Sequence, residues 1–149
     1  MIETIMKKLF FSLAFLIVAS SGFAQNTVIP DERLSVRFSS EQIQEWVDNY
    51  PPKIELLNFE LQNGFEIVEL SDGKIQNLPA LHFINYQTKS QGELVEAIDY
   101  VNFNLFLYQY ERKQKADTYY RIGNTNQILK IISSQKLVKR FNESQNYEN

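Results

Sequence analysis

The hydrophobic pattern begins with two predicted helices separated by a pair of prolines. In the first, apolar side chains recur at i, i+3, i+4 and i+7, which is one helical face: Ile43, Trp46, Val47 and Tyr50. Ser39 and Gln42 have the spacing of a capping box, which marks the start of this helix. Pro51 ends the helix, Pro52 suits the first position of the next one, and Gly64 lies where that second helix should end. The second helix has its own apolar stripe: Ile54, Leu57 and Leu61.

The rest of the chain has the pattern of short strands separated by turns. We predict strands at 65–70, 80–86, 100–110, 118–122 and 127–132, with 93–98 open between a helical turn and a strand. The turn signal at 123–126 predicts a hairpin of the strands on either side of it. A last helix begins at Ser133 or Ser134, and the polar tail 142–149 is expected to fray.

This order of elements predicts the α+β class. Adjacent strands joined by short turns favour antiparallel pairing, unlike the crossovers of a parallel sheet. We expect an N-terminal helical hairpin, an antiparallel sheet of three to five strands and a C-terminal helix in a single small domain, residues 25–149. Residues 25–38 have no periodicity and are interpreted as a lead-in segment.

The first 24 residues have the three-part pattern of a cleaved secretory signal peptide. Lys7 and Lys8 precede an apolar run at 9–19, and small residues then lead to a cleavage site after Ala24. A membrane anchor is the alternative, but the apolar run is shorter than the roughly 20 residues that a spanning helix needs. The pattern predicts export to a bacterial periplasm or cell surface, or release to the medium. The true start is open between Met1 and Met6, because Glu3 weakens the basic segment of the signal.

Composition excludes several kinds of site. The chain has no cysteine and one histidine, His82, which rules out disulfides, a thiol nucleophile, a lipoprotein anchor and a histidine-cluster metal centre. The five glycines are isolated, so no phosphate-binding loop is predicted, and the net charge of −3 disfavours a nucleic-acid partner. We therefore expect no cofactor and no metal, and we assign no catalytic residue. A small periplasmic hydrolase stays open as the alternative function, using His82 or a carboxylate pair: Glu66 with Glu69, or Glu93 with Glu96.

Charge is unevenly distributed along the sequence. Acidic residues outnumber basic residues in 25–100, and the balance is reversed in 101–149. The favoured interpretation is that the two halves attract each other across the fold or lie on separate solvated faces, because charged faces usually have no partner. A basic docking surface in the second half is the alternative.

The aromatic residues indicate one candidate partner-binding surface. If 100–110 is a strand, one parity of its side chains forms an aliphatic core face: Val101, Phe103, Leu105 and Leu107. The other parity, extended by later strands, is the candidate partner-binding face: Phe106, Tyr108, Tyr110, Tyr119, Arg121 and Lys130. Cross-strand aromatic pairing that only stabilises the sheet is the alternative. We expect a non-enzymatic accessory or binding protein of the cell envelope, with a protein or glycan partner and an undetermined oligomeric state.

The signal pattern predicts a defined mature N-terminus. Protein recovered from the cell envelope should have the intact mass of residues 25–149 and carry no lipid, because lipidation at the cleavage site needs a cysteine. An Ala24→Tyr variant should accumulate uncleaved, since the peptidase needs a small residue there. A wild-type species that retains residues 1–24 at steady state would contradict the assignment.

Overall fold

The structure is a computed structural model that describes residues 27–71 and 73–147. The predicted signal peptide and its cleavage site lie outside the described residues. The helices are α1 (Ser40–Asn49), α2 (Pro51–Asn63) and α3 (Ser134–Tyr147). The strands are β1 (Phe65–Glu69), β2 (His82–Asn85), β3 (Ser90–Leu94), β4 (Tyr108–Gln109), β5 (Thr118–Arg121) and β6 (Gln127–Ile131). The predicted α+β class, with a helical hairpin first and a helix last, is confirmed.

The helical hairpin begins and turns largely as its sequence predicts. The hydroxyl of Ser39 accepts a hydrogen bond from the Gln42 amide at 3.3 Å, and the Gln42 side chain accepts one from the Ser39 amide at 3.2 Å. This reciprocal capping box fixes the start of α1. Pro51, and not Pro52, occupies the first position of α2. Tyr50 lies between the two helices with 59% of its surface exposed, so its predicted place on the packed face of α1 is wrong.

Two antiparallel three-stranded sheets follow the helices. The first sheet has the order β1-β6-β5, and the second has the order β3-β2-β4. The predicted hairpin of β5 and β6 is confirmed, and its turn needs Gly123 because the backbone there has a left-handed φ of +51°. The amide of Leu81 donates to the Arg121 carbonyl at 2.9 Å, while the Arg121 amide donates to the Pro79 carbonyl at 2.9 Å. This short parallel bridge joins the two sheets at one corner.

The predicted strand at 100–110 is wrong. Residues 100–104 have no regular structure, residues 105–107 form a 3-10 turn, and only 108–109 pair as β4. The cause is the buried Asn104, whose side-chain oxygen accepts from the Phe106 amide at 3.0 Å and whose side-chain nitrogen donates to the Arg33 carbonyl at 3.0 Å. Side-chain amides of this kind compete with sheet pairing for the backbone. Side chains of both parities therefore enter the core, while Val101 is 89% exposed.

Three further segments differ from their predictions. The interpreted lead-in contains a 3-10 turn, Glu32–Val36, which buries Leu34 completely. The open segment at 93–98 begins inside a strand, because β3 covers Ser90–Leu94. α3 continues into the tail that was expected to fray, and it ends at Tyr147. Phe141 holds this helix against α2 through an edge-on contact with Phe59, at 5.4 Å between ring centroids.

The burial of Tyr108 predicts a large cost of truncation. Its ring stacks between Phe83 and Phe103, at 5.4 Å from each centroid, and 5% of the residue is exposed. Tyr108→Ala should lower the free energy of unfolding in urea by about 3–5 kcal/mol, because an aromatic side chain leaves the core. Tyr119→Ala, at a 40% exposed position, should change it by less than about 1 kcal/mol. Equal costs for the two variants would show that Tyr108 lies on an open face.

Candidate functional site: a cleft lined by arginines and tyrosines

The structure does not bring the six candidate partner-binding residues onto one face. Phe106 is fully buried and Tyr108 is 5% exposed, so these two side chains are not available to a partner, because the 105–107 turn replaces the predicted strand. Tyr110 is half-buried beside α2. The remaining three share one face of the first sheet, since cross-strand partners and residues two apart point the same way: Tyr119, Arg121 and Lys130. Partner binding by Tyr119, which is exposed, and by the partly buried Arg121 and Lys130 stays a prediction.

Ion pairs within the fold occupy Lys130. Its ammonium lies 2.7 Å from a carboxylate oxygen of Glu66 and 3.8 Å from one of Asp117. The same Glu66 accepts from Arg140 at 3.0 Å. Hydrogen bonds from Lys130 and Arg140 lower the pKa of Glu66, which therefore stays ionised at neutral pH. The two pairs of Glu66 join the acidic first half to the basic second half, which is one of the two forms of the favoured interpretation.

His82 lines a separate cavity of about 410 Å³ between the two sheets. Its Nδ1 atom lies 3.2 Å from the carbonyl oxygen of Gly92, and Glu111 lines the same cavity. Glu66 and Glu69, three residues apart on β1, point to opposite faces of that strand. Within the part of the chain that the structure describes, no cluster of three His, Asp or Glu residues could hold a metal ion. These contacts assemble neither a nucleophile with its base nor an opposed carboxylate pair.

A different cleft, which sequence reasoning missed, lies between the helical hairpin and the second sheet. Its volume is about 440 Å³, within the range of about 300–1,000 Å³ that is typical of small-ligand sites. We call it the arginine–tyrosine cleft after the residues that give it its chemistry: Arg37, Phe38, Tyr86, Gln109, Tyr110 and Arg112. Two members of the predicted face, Tyr108 and Tyr110, contribute to its wall.

One side of the cleft is fixed by Arg112 and Glu60. Nη2 of Arg112 lies 2.8 Å from Oε1 of Glu60, and the two side chains are 12% and 14% exposed. Nη1 of Arg112 donates to the carbonyl of Gly64 at 3.1 Å and to the carbonyl of Ile132. A Cβ atom at Gly64 would lie 2.8 Å from Nη2 of Arg112 and 2.6 Å from the Glu60 carbonyl oxygen, so close approach requires glycine here. Arg112 thereby ties the end of α2 to the end of β6.

Tyr110 completes this buried cluster. Its hydroxyl donates to Oε1 of Glu60 at 3.1 Å. Burial, followed by the negative charge of Glu60, raises the pKa of Tyr110 far above its ordinary value. The hydroxyl therefore stays protonated, and the carboxylate of Glu60 is bound by both Tyr110 and Arg112.

The opposite side of the cleft carries Arg37. Its guanidinium carbon lies 5.3 Å from the ring centroid of Phe38 and 5.0 Å from that of Phe106, which holds the group by cation–π contacts. Among residues 27–71 and 73–147, no carboxylate forms an ion pair with Arg37. The hydroxyl of Tyr86 donates to the Phe106 carbonyl. Burial raises the pKa of Tyr86, and the nearby positive charge of Arg37 partly opposes that rise.

One sequence signal could have located part of this cleft. Phe38 directly precedes the capping box, at the position from which a hydrophobic staple packs onto the following helix. In the structure its ring meets Trp46 of α1 edge-on, at 4.9 Å between centroids. The staple pattern predicts that Phe38 packs, but it does not place Arg37 beside the second sheet.

The protonation of Tyr110 predicts a late step in an absorbance titration. Because its pKa is raised in the folded state, the group stabilises the fold below pH about 10, and this contribution is lost as the pH rises through the folded-state pKa. Tyr110→Phe should remove one late-ionising tyrosine from the absorbance titration at 295 nm. An unaltered late step in Tyr110→Phe would contradict the buried cluster.

Comparison with known proteins does not assign this cleft to a family. No protein-family model, curated protein or solved structure significantly matches the chain. In the part of the chain that the structure describes, every helix is too short or too polar to cross a membrane.

Proposed function

We propose that this protein is an exported, non-enzymatic accessory protein of the bacterial cell envelope that binds a glycan in the arginine–tyrosine cleft. The observation that carries the proposal is the guanidinium of Arg37, which has no carboxylate partner among the described residues and lies over two rings on one side of a ligand-sized cleft. The three-part signal pattern of residues 1–24 supports the cellular location.

The ionisable groups of the cleft favour binding over catalysis. Glu60 is paired with Arg112 and accepts a hydrogen bond from Tyr110. These contacts already engage its carboxylate, so it is poorly placed to take a proton from a ligand as a general base. Tyr110 is held in its neutral form by burial. A general acid or base needs a pKa near the working pH, and the pKa of Tyr110 is shifted away from that range. The cleft thus holds a ligand without an evident group to transform it.

The hydrogen-bonding state of the cleft favours a glycan as the ligand. The hydroxyls of Tyr86 and Tyr110 already donate to Phe106 and Glu60, so each oxygen has its acceptor capacity left. Sugar hydroxyls are donors that match these acceptors. Apolar side chains also line the cleft and suit the C–H face of a sugar ring: Phe38, Leu57 and Ile84. The volume of about 440 Å³ fits one or two rings.

Retention on envelope polysaccharides tests the proposal. Purified protein should sediment with at least one insoluble cell-wall or surface polysaccharide fraction of the producing bacterium. Gln109 is an exposed residue that lines both the arginine–tyrosine cleft and the His82 cavity. Gln109→Trp adds a bulky ring at this shared wall, so it should abolish retention while leaving the melting temperature within a few degrees.

The matched control is Gln91→Trp, whose ring enters the His82 cavity but not the arginine–tyrosine cleft. This variant and His82→Ala should both be retained like the wild type. The proposal is wrong if the wild-type protein binds none of the fractions, or if folded Gln109→Trp is retained as well as Gln91→Trp. Turnover of a polysaccharide that is lost in His82→Ala would favour the hydrolase instead.

A further inference from the structure

We infer that the arginine–tyrosine cleft is selective for acidic sugars, whose carboxylate binds the guanidinium of Arg37. The inference rests on the proposed glycan binding and specifies its ligand class. It follows from three features of the cleft: the placement of Arg37, the net charge of the lining residues and the hydrogen-bond acceptors around them.

Arg37 is placed to receive a planar anion. The rings of Phe38 and Phe106 lie 5.3 and 5.0 Å from its guanidinium carbon, which restricts the side chain before a ligand arrives. A guanidinium presents parallel N–H donors that match the two oxygens of a carboxylate. No carboxylate of the described residues fills this position, in contrast to Arg112, which is bound to Glu60. A ligand carboxylate would complete the ion pair that the fold leaves open at Arg37.

The charges that line the cleft favour an anion in spite of an acidic chain. The whole sequence carries a net charge of −3. Three charged residues line the cleft, however, and two of them neutralise each other as the Arg112–Glu60 pair. Among the lining residues that the structure describes, the charge of Arg37 therefore remains uncompensated. Arg37 is itself exposed, so water and salt partly screen this charge, and low ionic strength favours its pairing with a ligand carboxylate.

The tyrosines allow the cleft to discriminate between a sugar acid and a simple anion such as acetate. Acetate could pair with Arg37 but has no O–H donor for the oxygens of Tyr86 and Tyr110. Inorganic phosphate has one or two O–H groups, but they are attached to the same phosphorus centre that would pair with Arg37. A uronate carries both the carboxylate and several hydroxyl donors. Its binding satisfies the cation and the acceptors together, which is why the affinity should depend on both parts of the ligand.

Calorimetric titration with paired disaccharides tests the inference. The probes are diuronates of glucuronate, galacturonate and mannuronate, each compared with its neutral parent disaccharide, and sodium acetate and inorganic phosphate as simple anions. At least one diuronate should bind roughly tenfold or more tightly than its neutral parent, the discrimination expected of a charge-assisted bidentate contact. Acetate and phosphate should bind more weakly than that diuronate.

Arg37→Gln should remove this preference, because it should weaken binding of the diuronate more than binding of the neutral parent disaccharide. Arg37→Lys, which keeps the charge but loses the planar guanidinium, should retain part of the preference. This variant still tests the inference if Arg37→Gln does not fold. Lys53→Gln is the matched control: its ammonium also lies over an aromatic ring, 3.4 Å from the centroid of Trp46, but does not line the cleft. That control should bind the diuronate like the wild type.

The outcomes distinguish this inference from the proposed function. Equal binding of neutral and acidic disaccharides, or a preference that survives Arg37→Gln, would overturn the acidic-sugar inference and leave glycan binding in place. Acetate or phosphate binding as tightly as every diuronate would reduce the site to a simple anion site. Absence of binding to all the disaccharides, together with no retention on polysaccharide, would overturn both proposals.

Discussion

The buried contact between Arg112 and Glu60 holds together parts of the chain that are far apart in sequence. A single guanidinium binds the Glu60 carboxylate on α2, the Gly64 carbonyl at the end of that helix and the Ile132 carbonyl after β6. With Ile132 also donating to Gly64 at 3.0 Å, the helical hairpin and the first sheet have a fixed relation. A mostly buried charge that lost these partners would be costly, so this geometry has little freedom. Arg112 and Glu60 also line the arginine–tyrosine cleft, so this contact fixes one side of it.

Two arginines have different parts in this arrangement. Arg112 is neutralised by Glu60 and serves the fold, whereas Arg37 rests on aromatic rings without an acidic partner among the described residues. An arginine that already forms an ion pair within the fold has little attraction left for a ligand. An arginine that has only cation–π contacts can still form an ion pair with a ligand. Tyr110 has both roles: its protonated hydroxyl is bound to Glu60 in the buried cluster, and its side chain also lines the cleft.

The sequence predicted those elements whose signals are local. The capping box at Ser39 depends on a few neighbouring residues, and the predicted start of α1 is confirmed. The prediction for 100–110 failed because the side chain of Asn104 bonds to the distant carbonyl of Arg33, a contact that alternation cannot reveal. The cleft was missed for the same reason: Arg37 comes to lie over Phe106 only once the fold is formed. Charge counts along the chain indicate attraction between its halves, but they do not identify which arginine lacks a partner.

The free energy of unfolding of an Arg112→Met variant tests the account most directly. Methionine keeps much of the apolar volume but leaves the mostly buried carboxylate of Glu60 without its cation, and it removes one hydrogen bond each from the carbonyls of Gly64 and Ile132. Urea unfolding should therefore show a loss of about 3 kcal/mol or more. Lys139→Met is the control, because it removes a cation from an exposed pair with Glu143, at 76% and 56% side-chain exposure. That control should lose less than about 0.5 kcal/mol. If Arg112→Met costs as little as Lys139→Met, the Arg112–Glu60 contact does not hold the fold together, and the central claim is wrong.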